Sequence, residues 1–180
     1  MCGLVLIAVK NQNKLASKID ENYCKKIIKK LSHRGPDGEG INIIKNQNSV
    51  IALMHRRLSI LDLSSNGHQP MSYNKIDIIY NGEIYNFKEI RKNLEQKGYS
   101  FSTKTDTEVL LKAYEEYGEK FVSILNGMFS FIILDREKNK LIIARDRFGI
   151  KCLYYYLSKD YFIAASEISP ILIELRKQLN

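Results

Sequence analysis

Apolar and polar positions along this chain fall into segments whose period switches between two and about 3.6, predicting strands and helices in turn. A continuous apolar run over residues 4–9 reads as a buried strand just behind the amino terminus. Tyr23, Ile27 and Leu31 recur at helical spacing and predict a helix over 20–32. The Gly and Pro of His33-Arg34-Gly35-Pro36-Asp37-Gly38 stop it. Strands follow at 41–45, 50–55 and 76–80, and Asn81-Gly82 reads as a sharp turn. A second helix starts near Asn86, which has capping-box spacing to Glu89, and ends at Gly98. Phe87, Ile90 and Leu94 form its apolar face. Thr105 and Glu108 open a third helix through Val109, Ala113 and Tyr117, and a short helix covers 119–125.

The last third reads as a meander of strands at 128–135, 141–145, 152–157 and 161–165, closed by a helix at 170–179. The turns at 136–140 and 158–160 are short, so the strands they join should be antiparallel. Strand runs and helix runs are segregated, which predicts an α+β fold with helices on antiparallel sheets. No Gly/Ser-rich linker and no 20–50-residue repeat divides the chain, so its 180 residues read as one domain.

Composition removes several alternatives. With 44% hydrophobic and 27% charged residues the chain is neither disordered nor fibrous. Its net charge of +8 is spread out, and the one dense cluster, Lys25-Lys26 with Lys29-Lys30, reads as a solvated helix face rather than a nucleic-acid stripe. No apolar run reaches the ~20 residues a bilayer demands, and no secretory pattern opens the chain, so the expected location is the cytoplasm.

Cys2, Cys24 and Cys152 are odd in number and widely spaced, which fits neither a disulfide framework nor a metal site. His33, His55 and His68 show no catalytic signature and read as structural or loop residues. Cys2 differs from the other cysteines because the initiator Met is normally removed before a small side chain. Residue 2 would then carry a thiol and a free α-amine, a nucleophile and a base on one residue. Taken without context, Met1-Cys2 reads equally as a small hydrophobe at a strand start, and Asn81-Gly82 as an ordinary hairpin turn.

Met1-Cys2-Gly3 resembles the start of class II glutamine amidotransferases, which are N-terminal-nucleophile enzymes. Further segments resemble the glutamine-hydrolysing asparagine synthetase branch. They are His33-Arg34-Gly35-Pro36-Asp37, Arg57-Leu58-Ser59-Ile60-Leu61-Asp62, Tyr80-Asn81-Gly82-Glu83-Ile84-Tyr85-Asn86, Thr105-Asp106-Thr107-Glu108-Val109, Gly127-Met128-Phe129-Ser130-Phe131 and Arg145-Asp146-Arg147-Phe148-Gly149-Ile150-Lys151. The similarity runs in order through nearly the whole chain. Two positions depart from the family pattern: Leu6 stands where it has Gly, and Cys152 where it has Pro.

The resemblance implies a four-layer αββα sandwich with two antiparallel sheets and a glutaminase domain over residues 2–180. It implies Cys2 as the nucleophile that attacks the glutamine γ-amide, with the Asn81 side chain and the Gly82 N–H as oxyanion donors. It implies Arg57 as the grip on the substrate α-carboxylate, Leu58, Ser59, Ile60 and Leu61 as the lining of the same pocket, and Glu83 and Asp106 as the acids for the α-ammonium. No cofactor or metal is expected for this domain. ATP and Mg would belong to an ATP-binding synthetase domain that this chain lacks, since it carries neither Ser-Gly-Gly-x-Asp-Ser nor a Walker loop. The implied partners are L-glutamine and a synthetase domain or subunit, with no nucleic acid and no membrane; a homodimer is left open. The rival readings are a related amidotransferase acting on a sugar, peptidyl or antibiotic precursor, a non-catalytic glutamine-binding scaffold, and, from charge alone, a nucleic-acid module.

Overall fold

The computed structural model describes residues 1–60, 62 and 64–176. One sheet centres on β1 (Gly3–Lys10), flanked by β3 (Ser49–Arg57) and β9 (Tyr161–Ala165), with β2 (Gly38–Lys45) outside β3 and β8 (Tyr154–Leu157) outside β9. A second sheet runs β4 (Met71–Tyr73), β5 (Ile76–Ile84), β6 (Gly127–Asp135) and β7 (Lys140–Arg145). The strand pairings described in both sheets are antiparallel.

Alternation along the strands explains the layers. On β1, Val5, Ile7 and Val9 pack with Cys24, Ile27 and Ile28 of α1 (Glu21–Ile28) and with Ile171 of α4 (Ile168–Arg176). Leu4 and Leu6, on its other face, meet Ile79, Ile132 and Leu134 of the second sheet. A strand buried on both faces must be apolar throughout, which is why 4–9 reads as an unbroken run. On the far side of the second sheet, Ile78, Tyr80, Phe131 and Ile133 pack against α2 (Phe87–Gln96) and α3 (Asp106–Tyr117). The result is the expected αββα order of layers.

The structure departs from the sequence expectations at several places. Asn81-Gly82 is not a turn: both residues lie inside β5, paired with Ser130 and Phe129 of β6. The helix expected over 20–32 is α-helical only to Ile28 and tightens to a 3-10 turn over Lys29–Leu31. The short helix expected over 119–125 is present, as a 3-10 run over Gly118–Ile124. Asn86 does not cap α2; its amide instead binds Asn126 N–H at 2.9 Å and Ile124 carbonyl at 2.9 Å. Thr105 does cap α3, accepting from Glu108 N–H at 3.2 Å. The expected meander is divided, with β6–β7 in one sheet and β8–β9 in the other, although each pair is antiparallel as expected. The strand expected from 152 begins at Tyr154, and the expected closing helix starts at Ile168; residues 177–179 of that expectation lie outside the described residues. Lys25, Lys26, Lys29 and Lys30 are all exposed, as a solvated face requires. Among the described residues no helix is long and apolar enough to cross a membrane.

Two features of the middle layer are testable. Leu6 is fully buried there, and its partners in register are Leu53 and the small Ala164, so the bulkier side chain is accommodated within the packing. Replacing Leu6 by Ala is expected to lower stability by about 2–5 kcal/mol in urea denaturation. At one end of the layer His55 is fully buried, and burial lowers its imidazole to about 4. The unfolded chain therefore binds this proton more readily than the folded one, and stability is lost as pH falls from about 6.5 toward 4. Compared with a His55→Gln variant, the native chain is expected to lose about 3 kcal/mol more between pH 7 and pH 4, measured by denaturation at both pH values.

Candidate active site

Cys2 immediately precedes β1, and two separate segments hold it. The Arg34 guanidinium donates to the Cys2 carbonyl at 3.0 Å and is itself held by the Glu167 carboxylate at 3.1 Å. Leu58, just past the end of β3, donates its N–H to the Cys2 sulfur at 3.3 Å. The loop after Arg34 can lie this close only because residue 35 is Gly, where a Cβ would meet the Arg56 carbonyl carbon at 2.4 Å. Asp37 then accepts the Ser59 N–H at 2.8 Å and ties that loop to the segment beyond β3. Burial pushes the Cys2 thiol above its ordinary value, while the Leu58 N–H, the amino terminus and the Arg57 charge pull the other way.

A cavity of about 220 Å³ opens beside Cys2, between the ends of the two sheets. Its opposite wall is β5. β4 reaches β5 only as far as the Met71–Ile78 pair, so beyond that point one edge of β5 has no strand neighbour among the described residues. The Tyr80 N–H turns to that edge and donates to Gln69 Oε1 at 2.6 Å, and the Ile84 N–H donates to Asp106 Oδ2 at 3.0 Å. Backbone direction alternates along an antiparallel strand, so the Gly82 N–H between them faces the same edge, toward the cavity that Gly82 lines. A side chain cannot stand at position 82, since a Cβ would meet the Met128 carbonyl oxygen at 2.3 Å. The Asn81 side chain points to the other face of β5 and also lines the cavity; its Nδ2 is buried with no partner among the described residues. A buried donor left unpaired costs about 1–3 kcal/mol, which marks this amide as one kept for something other than folding.

The charged groups converge on the same space. Arg57 is buried, and its guanidinium donates to the carbonyls of Ser64, at 2.7 Å, and Asp62, which presets its orientation. Asp106 opens α3 and is buried; its Oδ2 accepts the Tyr80 hydroxyl at 2.7 Å. Burial raises the Asp106 carboxyl against the pull of the Tyr80 hydroxyl and the Ile84 N–H. Burial also raises Glu83, and the Asp106 charge adds to it, while Lys151 opposes. Two carboxylates held above their ordinary range favour a neighbouring cation.

Of the residues singled out in the sequence, Cys2, Arg57, Leu58, Ile60, Asn81, Gly82, Glu83 and Asp106 all line this cavity. Ser59 does not, its amide being tied to Asp37. Leu61 lies outside the described residues. Sequence reasoning missed Lys151, Tyr80 and Gln69 as cavity residues. Lys151 is buried there because Asp146 gathers the backbone N–H groups of Phe129, Ile150 and Lys151 at 3.2, 2.9 and 3.0 Å and folds that loop inward. Among the described residues no group of three or more His, Cys, Asp or Glu is arranged to hold a metal ion.

The chain resembles known proteins throughout its length. It is 44% identical over 176 residues to asparagine synthetase (glutamine-hydrolyzing) 1 of Bacillus subtilis, covering 96% of this chain and 27% of that protein. It is 43% identical over 159 residues to asparagine synthetase (glutamine-hydrolyzing) 3 of Arabidopsis thaliana, covering 86% of this chain and 25% of the relative. The chain thus spans about a quarter of the length of these curated relatives. Among solved structures, the glutamine phosphoribosylpyrophosphate amidotransferase of B. subtilis superposes with a TM-score of 0.74 at 20% identity, over 96% of this chain and 43% of that one, which establishes the shared fold. The family model for the glutamine amidotransferase domain matches residues 1–180, and this chain belongs to that family.

Proposed function

We propose that this domain hydrolyses L-glutamine to glutamate and ammonia through a thioester on Cys2, and that the ammonia serves an ATP-dependent synthetase portion or partner that converts aspartate to asparagine. The observation that carries the reading is the pairing across one cavity of a thiol on the first sheet with the unpartnered Asn81 amide and the edge-facing Gly82 N–H on the second.

Once Met1 is removed, the α-amine of Cys2 takes the thiol proton and the sulfur attacks the γ-amide carbon. Negative charge then builds on the amide oxygen, where Asn81 Nδ2 and Gly82 N–H donate to it. Collapse of this intermediate breaks the C–N bond, and the ammonium of Cys2 returns its proton to the departing nitrogen, which leaves as ammonia. Water, deprotonated by the same amine, attacks the thioester; the C–S bond breaks, the Cys2 ammonium returns that proton to the departing sulfur, and glutamate leaves with the free thiol and amine restored. Arg57 holds the α-carboxylate and Glu83 with Asp106 the α-ammonium, so the site selects a zwitterion. No step is routed through a cofactor, and ATP and magnesium belong in this proposal to the synthetase side. The sequence relatives support asparagine as the product because those covering 96% and 86% of this chain are both named for it.

Cys2→Ala is expected to abolish ammonia release while glutamine still binds by calorimetry; retained hydrolysis would overturn the reading. Asn81→Ala removes an unpaired amide, so the fold should persist by circular dichroism. Its kcat is expected to fall by about 10²–10³-fold with a small change in KM. An unchanged kcat would remove Asn81 from the chemistry.

A further inference from the structure

The proposed nucleophile and the proposed oxyanion donors stand on different sheets, and apolar contact alone does not fix the position of one sheet on the other to the accuracy that chemistry demands. A polar link between the sheets exists beneath the cavity. On β3 the residues facing the second sheet are Ile51, Leu53, His55 and Arg57. His55 is fully buried among them, and its Nε2 lies 3.0 Å from the Tyr80 carbonyl oxygen. That carbonyl belongs to the peptide unit joining Tyr80 to Asn81. It faces the edge of β5 that β4 leaves uncovered, so no strand among the described residues satisfies it.

The Tyr80 residue is consequently held from three directions: Gln69 Oε1 on its N–H at 2.6 Å, Asp106 Oδ2 on its hydroxyl at 2.7 Å, and His55 on its carbonyl. Only the His55 contact comes from the sheet that carries Cys2. The carbonyl can only accept, so the imidazole must carry its proton on Nε2. Its Nδ1 is then a buried acceptor with no partner among the described residues. The charged and titratable groups that act on this ring are Arg57 and His68, both of which disfavour its protonation along with burial.

We infer that His55 is a positioning residue for glutamine hydrolysis: as a neutral Nε2–H donor to the Tyr80 carbonyl, it sets the orientation of the Asn81 and Gly82 donors relative to Cys2. This inference rests on the function proposed above. His55 touches neither substrate nor the reacting atoms and acts through the backbone of β5.

The test compares the native chain with His55→Gln, which keeps a donor of similar reach, and His55→Leu, which removes it. Glutamine hydrolysis by the leucine variant is expected to lose about 10²-fold in kcat with KM within about twofold, and glutamine at position 55 should restore most of the loss. Alkylation of Cys2 by iodoacetamide, which uses no oxyanion donor, should proceed equally in all three. A leucine variant with native kcat, or a loss that glutamine at 55 does not restore, would overturn the inference. Nitrogen-15 NMR supplies a readout independent of turnover. The His55 ring should be the Nε2–H tautomer without titrating between about pH 5 and 8, and the Asn81 side-chain amide should shift in the leucine variant but not in the glutamine one. An Nδ1–H tautomer in the native chain would equally overturn it, even with the leucine variant unfolded, and so would an Asn81 signal indifferent to both substitutions in folded variants. A native chain that gives the expected NMR pattern but never hydrolyses glutamine would count against the proposed function and leave the His55 geometry standing.

Discussion

The incomplete pairing of β5 is the constraint on which the site depends. β4 contributes three residues, Met71, Ser72 and Tyr73, and stops opposite Ile78, while β5 continues to Ile84. An uncovered edge is normally a liability, because backbone donors and acceptors there need partners. Here most of that edge is satisfied by side chains: Gln69 takes the Tyr80 N–H, His55 the Tyr80 carbonyl and Asp106 the Ile84 N–H. The Gly82 N–H lies between these and faces the cavity. A longer β4 would stabilise the sheet and close off the donor that the proposed chemistry uses.

The charged residues are arranged so that their orientation is set before any ligand arrives. Arg57 extends β3 into the cavity, but loop carbonyls hold its guanidinium. Asp106 is fixed by the Tyr80 hydroxyl and the Ile84 backbone, so the same carboxylate that is proposed to meet an α-ammonium also trims the edge of β5. Lys151 enters from a third direction and offsets part of the mutual repulsion of Glu83 and Asp106. Preset groups of this kind lose little freedom on binding, which is the physical advantage of building a site at the ends of two packed sheets rather than on a mobile loop.

Much of this was legible in the sequence because it depends on local pattern. The unbroken run at 4–9 signalled a doubly buried strand, and the short turns at 136–140 and 158–160 gave two antiparallel pairs. The motif series placed Cys2, Arg57, Asn81, Gly82, Glu83 and Asp106 at one site, and the structure gathers all six. What was not legible depends on distant partners. Asn-Gly favours turns locally, yet pairing with β6 and the close approach of the Met128 carbonyl at Gly82 hold both residues in a strand. Asn86 has the spacing of a cap, but Asn126 and Ile124 claim its amide across 40 and 38 positions of chain. His55 looked like an ordinary strand residue because its partner, the Tyr80 carbonyl, lies on another sheet. Leu6 departs from the family pattern, yet Ala164 beside it leaves the room it occupies.

The central claim is that Cys2, freed of Met1, is the nucleophile of a preset glutamine site. The most direct measurement is the intact mass of the purified chain before and after 6-diazo-5-oxo-L-norleucine, a glutamine mimic that alkylates such nucleophiles, followed by peptide mapping. The account predicts a chain lacking Met1 that gains a single adduct, located on Cys2 and suppressed by excess L-glutamine. A chain lacking Met1 that remains unmodified, or carries its adduct on Cys24 or Cys152, would contradict it.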